Sequence, residues 1–227
     1  MISPVGAIAN GLEVLESEKD PDMRGFAMDL IKKSATSASA RLQFCRLAFG
    51  AAGSAGASID TGDAESVARG LIADEKTKLI WNATRALLPK NKVKLILNLV
   101  LIAGQAIPRG GVIEVSIDGT DNDMIFTVTA TGTNAKLQSH TPHLLAGEPE
   151  NGVDAHGIQA YYAGLVAREV HLALTATAEV GVVTLRAVPD GTVMPVIDTG
   201  MIGVAVPSQP SSSQPSSAQD MPSQKVA

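Results

Sequence analysis

SPVGAIANGLEVLESEKDPDMRGFAMDLIKKSATSASARLQFCRLAF, residues 3–49, reads as two antiparallel helices joined by a charged turn. Ser3-Pro4 is a helix start: serine caps free backbone N–H groups, and proline in the first turn loses nothing by lacking its own. Ile8, Leu12 and Leu15 recur at one-face helical spacing until the charged stretch Glu16 to Asp20. Asp20-Pro21 repeats the start signal. The second helix carries Phe26, Ala27, Leu30 and Ile31, a small-residue section (Ser34, Ala35, Ser37, Ala38), then Leu42, Cys45 and Phe49, and dissolves at Gly50. Cys45 is expected on the apolar side as a core thiol. Two helices alone cannot bury both apolar stripes. Pairing with a second copy as a four-helix bundle is the economical solution, and packing on the rest of the chain is the alternative.

Outward from the hairpin, residues 50–62 are rich in Gly, Ala and Ser, and the spacing predicts a linker over 53–62. A short helix over Ala64–Ala73 and a strand at Leu79-Ile80-Trp81 follow, with Trp81, the single tryptophan, as a core residue rather than a ligand platform. Pro89 precedes a helix over Asn91–Ile107 that is apolar nearly all round and therefore buried against a sheet. Val112–Ile117 and Ile125–Thr131 alternate as a strand hairpin. Gly132 to Asp154 reads as a long loop and Gly157–His171 as a helix. Leu172–Ala178 and Val182–Val188 form a second hairpin, and Met194–Ile197 and Ile202–Val206 are strand-like. The Ser, Gln and Pro tail from Pro207 cannot bury enough apolar surface to fold. This order predicts an α+β protein: a helical hairpin domain over 1–52, the linker, an α/β sandwich over 63–206 and a tail over 207–227.

Composition narrows the function. Hydrophobic residues make up 45% of the 227, so a core is available, and the net charge of −5 argues against a nucleic-acid partner. One cysteine suits a reducing cytoplasm, and no secretory leader or membrane-spanning run is read at this level. No phosphate-binding Gly-Lys-Ser/Thr loop or Gly-x-Ser-x-Gly elbow occurs. His140, His143 and His156 have no Cys or acidic partner at zinc spacing. Asp118 to Asp123 has calcium-loop oxygens without the spaced glycine or closing glutamate, and reads as a turn. Lys90, Lys92 and Lys94 read as a solvated rim.

The ordering resembles the dimerisation and ATP-binding halves of a sensor histidine kinase. Ser3-Pro4-Val5 matches the end of the kinases' His-Glu-x-x-Ser/Thr-Pro-Leu motif. Ser3-Pro4-Val5-Gly6-Ala7-Ile8-Ala9-Asn10-Gly11-Leu12-Glu13, Ser39-Ala40-Arg41-Leu42-Gln43-Phe44 and Leu47-Ala48-Phe49-Gly50 are similar to the ChpT family of histidine phosphotransferases. The resemblance covers about residues 1–190. The family's acceptor histidine would fall two residues before Met1, and none of the four histidines lies in the hairpin. A start codon assigned too late is the expected reason, with truncation as the alternative.

The nucleotide motifs are eroded. Asn98-Leu99-Val100-Leu101-Ile102-Ala103 aligns with Asn-Leu-Leu-x-Asn-Ala, so the magnesium-holding asparagine falls at Ile102. The adenine-reading aspartate falls at Ala130. Gly132 survives, but the next glycine falls at Asn134, and the phosphate loop falls at Ala160 to Ala163. Ile102 offers a hard cation no oxygen, and without glycines the backbone cannot approach phosphates closely. The expectation is a second domain that binds no ATP and a protein needing no cofactor of its own.

The resemblance thus implies a phosphorelay intermediate acting as a homodimer in the cytoplasm. It would take a phosphoryl group from the receiver domain of a CckA-like hybrid kinase and pass it to receivers of CtrA-like and CpdR-like response regulators. The receiver would supply its own aspartate and magnesium. Helical spacing puts the receiver-binding face at Ser3, Ala7, Asn10, Gly11 and Val14, with Ser34, Ser37, Ala38 and Arg41 from the second helix. Gly6 and Gly11 each cost about 1 kcal/mol of helix propensity against alanine. Close approach of a partner and close packing within the bundle are both open as their benefit. The alternatives are an active ATP-dependent histidine kinase and a dimeric docking scaffold without phosphotransfer.

Overall fold

A computed structural model describes residues 3–50, 57–72, 74–149 and 152–192. The expected strands at 194–197 and 202–206, the tail from 207 and linker positions 53–56 lie outside the described residues.

Helices α1 (Pro4–Ser17) and α2 (Pro21–Ala48) form the hairpin. Ser3 Oγ accepts the Gly6 N–H at 3.1 Å, and Asp20 Oδ1 accepts the Asp22 N–H at 3.1 Å, so both expected caps are made. The Glu18 carboxylate closes the turn by accepting the N–H groups of Asp20 and Lys19, chiefly the former, and these hold its pKa below the usual range. Arg24 donates to the carbonyls of Leu15 and Glu18.

The rest is a two-layer sandwich. Its strands are β1 (Ser58–Asp60), β2 (Thr77–Asn82), β3 (Leu87–Pro89), β4 (Gly111–Asp118), β5 (Ile125–Thr131), β6 (Leu172–Glu179) and β7 (Val182–Pro189). Its helices are α3 (Thr61–Ile72), α4 (Lys90–Ala106), α5 (Thr141–Ala146) and α6 (Ile158–Glu169). The main sheet runs β2-β4-β5-β7-β6. Only β2 and β4 pair in parallel, joined by the α4 crossover, and both expected hairpins are present. Ile113, Val115, Phe126, Val128, Val183 and Leu185 point from the sheet into the core. Their neighbours on the outer face are polar, including Thr127, Thr129, Thr184 and Arg186, as a one-sided antiparallel sheet requires.

Helix α4 is the centre. It touches β4, β5 and β7 on one side and α2, α3 and α6 on the others, which is why every residue from Val93 to Val100 is buried. Lys94 is therefore buried rather than part of a solvated rim.

Three expectations change. The end of the expected linker is structured: β1 pairs with β3, and α3 starts at Thr61. Three-residue strands show no period in sequence; only their mutual pairing defines them. The segment 132–154 is not all loop, because Thr141-Pro142 starts α5, which ends at Gly147 in the left-handed region (φ 80°). Helix α5 lies directly on α6: a Cβ added at Gly164 would come within 2.3 Å of the Leu145 carbonyl oxygen. Finally, Cys45 is exposed. The face of α2 that enters the core is Phe44 and Ala48, four residues apart, and Cys45 lies beside it.

Candidate functional site

Two places bear on function: the hairpin face, and the cleft between α4 and α6.

On the hairpin, Ser3, Asn10, Val14 and Arg41 are exposed, and Ala7, Ser37 and Ala38 are half-buried. Gly11 and Ser34 are buried between the helices and are not available to a partner. A Cβ on Gly11 would sit 2.7 Å from Ile31 Cγ1 and 3.3 Å from the Ala27 carbonyl oxygen. Of the two roles open for that glycine, the structure shows close packing of α1 on α2. The inner face of α1 is thus Ile8, Gly11 and Leu15, with Leu12 exposed beside it. Because the helices are antiparallel with Gly11 beside Ile31, Ser3 and Ala7 fall level with residues 34–38. Ser3, Ala7, Ser37, Ala38 and Arg41 therefore gather toward the base of the hairpin, Asn10 lies midway, and Val14 lies toward the tip.

The apolar stripe meets two fates. At its base, α2 packs on α3 and α4, and Phe49 stacks obliquely on Tyr162 with ring centroids 5.7 Å apart. Elsewhere Val5, Leu12, Met23, Phe26, Met28, Leu30 and Leu42 are exposed.

In the cleft, each eroded position has a packing role. Ile102 and Ala130 are core residues. Ala160 and Ala163 sit in regular helix, buried against their neighbours. Gly132 survives for the chain itself: a Cβ there would lie 2.6 Å from the Gly110 carbonyl oxygen. Asn134 holds φ +60°, a left-handed conformation that asparagine tolerates better than most side chains. The cavity left between Ile102, Gln105, Lys136, Gln138, Thr141 and His156 measures about 40 Å³. Small-molecule pockets usually enclose about 300 Å³ or more.

The loop entering α6 is held by Asp154, whose carboxylate accepts the N–H groups of Gly157 (2.7 Å) and His156 (3.0 Å). Those bonds, Gly157 first, lower its pKa. The turn Asp118–Asp123 is a strand connection, with Gly119 at φ +78°. Among the described residues no three His, Cys, Asp or Glu side chains converge on a metal-sized space. No described helix is long and apolar enough to cross a membrane.

The packing role of Asn98 escaped sequence reasoning. Asn98 is 0% exposed. Its amide nitrogen donates to the carbonyls of Lys94 (2.7 Å) and Ala48 (3.1 Å), and its amide oxygen accepts from Gln159 Nε2. The signal was an amide inside the apolar stretch Leu95–Ile102 of that helix.

Comparison with known proteins agrees with this picture. The family model described as "Histidine phosphotransferase C-terminal domain" matches residues 61–180. The chain is 51% identical over 183 residues to the protein phosphotransferase ChpT of Brucella abortus (strain 2308), covering 79% of this chain and 86% of that protein. A structure described as a bacterial phosphotransferase at 1.7 Å superposes with a TM-score of 0.71 at 47% identity, covering 82% of this chain and 88% of that one. A histidine kinase domain from Erythrobacter litoralis, at 16% identity and a TM-score of 0.47, is too distant to argue from. On the family match and the Brucella relative, the chain belongs to the histidine phosphotransferase family.

Proposed function

We propose that the hairpin is the landing surface on which receiver domains exchange a phosphoryl group with a histidine of the kind the family carries on its first helix. In that exchange the imidazole nitrogen attacks phosphorus of the receiver's aspartyl phosphate. The P–N bond forms, the P–O bond breaks, and the aspartate leaves as carboxylate. The receiver's magnesium neutralises the moving charge. This chain supplies geometry: an exposed helix face at Ser3, Asn10 and Val14, with Arg41 opposite. The observation carrying the reading is that face, exposed among the described residues, in a member of this family.

Two further parts belong to the reading. A second copy covers the exposed apolar flank, for which Val5 and Leu12 (seven apart) and Met28 and Leu42 (fourteen apart) have the spacing. The sandwich binds no nucleotide, which the filled positions 102, 130 and 160–163 support. The setting is the cytoplasm, where an exposed Cys45 stays reduced. The donor is a hybrid-kinase receiver of the CckA kind, and the acceptors are receivers of the CtrA and CpdR kinds.

The test uses a phosphorylated receiver, the chain as given, and the same chain extended to place a histidine two positions before Met1. The extended protein takes up label, while the given chain binds the receiver without label. Binding by both with label on neither would replace phosphotransfer with a docking scaffold. Heat on titrating magnesium-ATP would restore the kinase reading.

A further inference from the structure

The junction between hairpin and sandwich is mostly apolar. Phe44 and Ala48 enter the shared core, Ala40 Cβ meets the Cβ position of Gly70 at 3.4 Å, and Phe49 rests on Tyr162. Such contacts set the angle between two bodies only through side-chain shape, because apolar burial itself has no direction. Hydrogen bonds do have direction, and among the described residues Asn98 supplies a pair that spans this junction. It sits midway along α4 with its amide nitrogen bonded to the Ala48 carbonyl, in the last turn of α2. That carbonyl is one of the four that a helix end leaves without a partner of its own. The oxygen of the same amide accepts a hydrogen bond from Gln159 Nε2 in the first turn of α6. One side chain therefore reads the positions of three helices, and it does so fully buried, where a misplaced partner leaves a polar group unsatisfied.

We propose that Asn98 is a positioning residue: through its simultaneous bonds to Ala48 and Gln159 it fixes the angle between the hairpin and the sandwich, making α6 and its entry loop a fixed wall beside the receiver-landing face. The proposal rests on the phosphotransfer reading for what the wall is for, but not for the lock itself. A domain that delivers a nucleotide to a helix must swing. A domain whose cleft has filled gains by standing still, since a preformed surface spares a partner the cost of ordering it.

The experiment separates the two claims. Spin labels go on the native exposed Cys45 and on an introduced Glu179→Cys, and pulsed electron resonance reads the distance distribution between hairpin and sandwich. The parent, its labelled copies diluted into an excess of unlabelled chain, gives one narrow distribution. Asn98→Ala, with its circular dichroism unchanged, broadens it about twofold and weakens binding of an unphosphorylated receiver about tenfold, as loss of a buried hydrogen-bonded group does. Should Asn98→Ala fail to fold, Gln159→Met, at a half-buried position, carries the test with a smaller broadening in the same direction. A broad parent distribution, or an unchanged width in a folded variant, overturns the lock. Broadening with unchanged receiver affinity overturns the wall. A parent that binds no receiver while its distribution stays narrow overturns the phosphotransfer reading, and with it the wall, and leaves the lock standing.

Discussion

Toward the tip of the hairpin, α1 fully buries only Gly11, while Leu12, Met23 and Leu30 stand half in water and Phe26 is 71% exposed. At its base, Phe44 and Ala48 are 1% and 0% exposed and belong to the same core as α4. The same helix, α2, runs through both environments. Its base is held by the protein's own sandwich, and its tip stays largely exposed among the described residues. The proposed landing face runs across both, with Ser3 and Arg41 toward the base and Val14 toward the tip.

The largest effect expected from breaking that division is at the base. Phe44→Ala should cost about 3–5 kcal/mol in urea unfolding. Phe26→Ala, measured at concentrations below any self-association, should stay within about 0.5 kcal/mol. Equal costs would erase the distinction between tip and base.

Next comes the cleft. Ile102→Asn installs the asparagine of the kinase motif yet places an amide in the core, and should cost about 1–3 kcal/mol. Calorimetry with magnesium-ATP should stay flat in that variant; a binding isotherm would show that the cleft is still a nucleotide site.

Within the hairpin the two glycines with known surroundings should respond oppositely. Gly11→Val meets Ile31 and should destabilise by about 1–3 kcal/mol. Gly25→Ala, with open space around its Cβ position, should stabilise by up to about 1 kcal/mol through helix propensity. Thermal unfolding of the pair checks the sign.

The smallest effect concerns Asp60, whose carboxylate takes the Arg85 guanidinium at 2.8 Å and the Gly62 N–H at 2.7 Å. These bonds, Arg85 first, hold its pKa below the ordinary value. The stability they give is present above that ordinary value and lost as pH falls through the depressed one. Arg85→Ala should therefore lower the urea midpoint slightly at pH 7 and progressively less as the pH falls below the ordinary carboxylate range, since exposed pairs contribute little. A larger loss in acid than at neutral pH would reverse the assignment.

Much of this architecture was legible in the residues. The Ser3-Pro4 and Asp20-Pro21 starts, the all-apolar α4 and the two alternating hairpins carry local signals, and each formed where its signal lies. What was not legible depends on partners distant in sequence. β1 and β3 exist only because they meet each other, and Lys94 is buried only because α4 has neighbours all round. Gly11, Ser34 and Cys45 were misplaced for one shared reason. Spacing says which residues share a helix face but not which face a neighbour covers, and one position along a helix turns a side chain by about 100°. Asn98 matched a nucleotide motif in sequence, and its tie to Ala48 and Gln159 needed coordinates.

The seat of α5 on Gly164 leaves position 164 a single tenant. A helix fitted against bare backbone admits no side chain there, so even a methyl group would have to lever α5 away from α6 and open the wall of the core behind it.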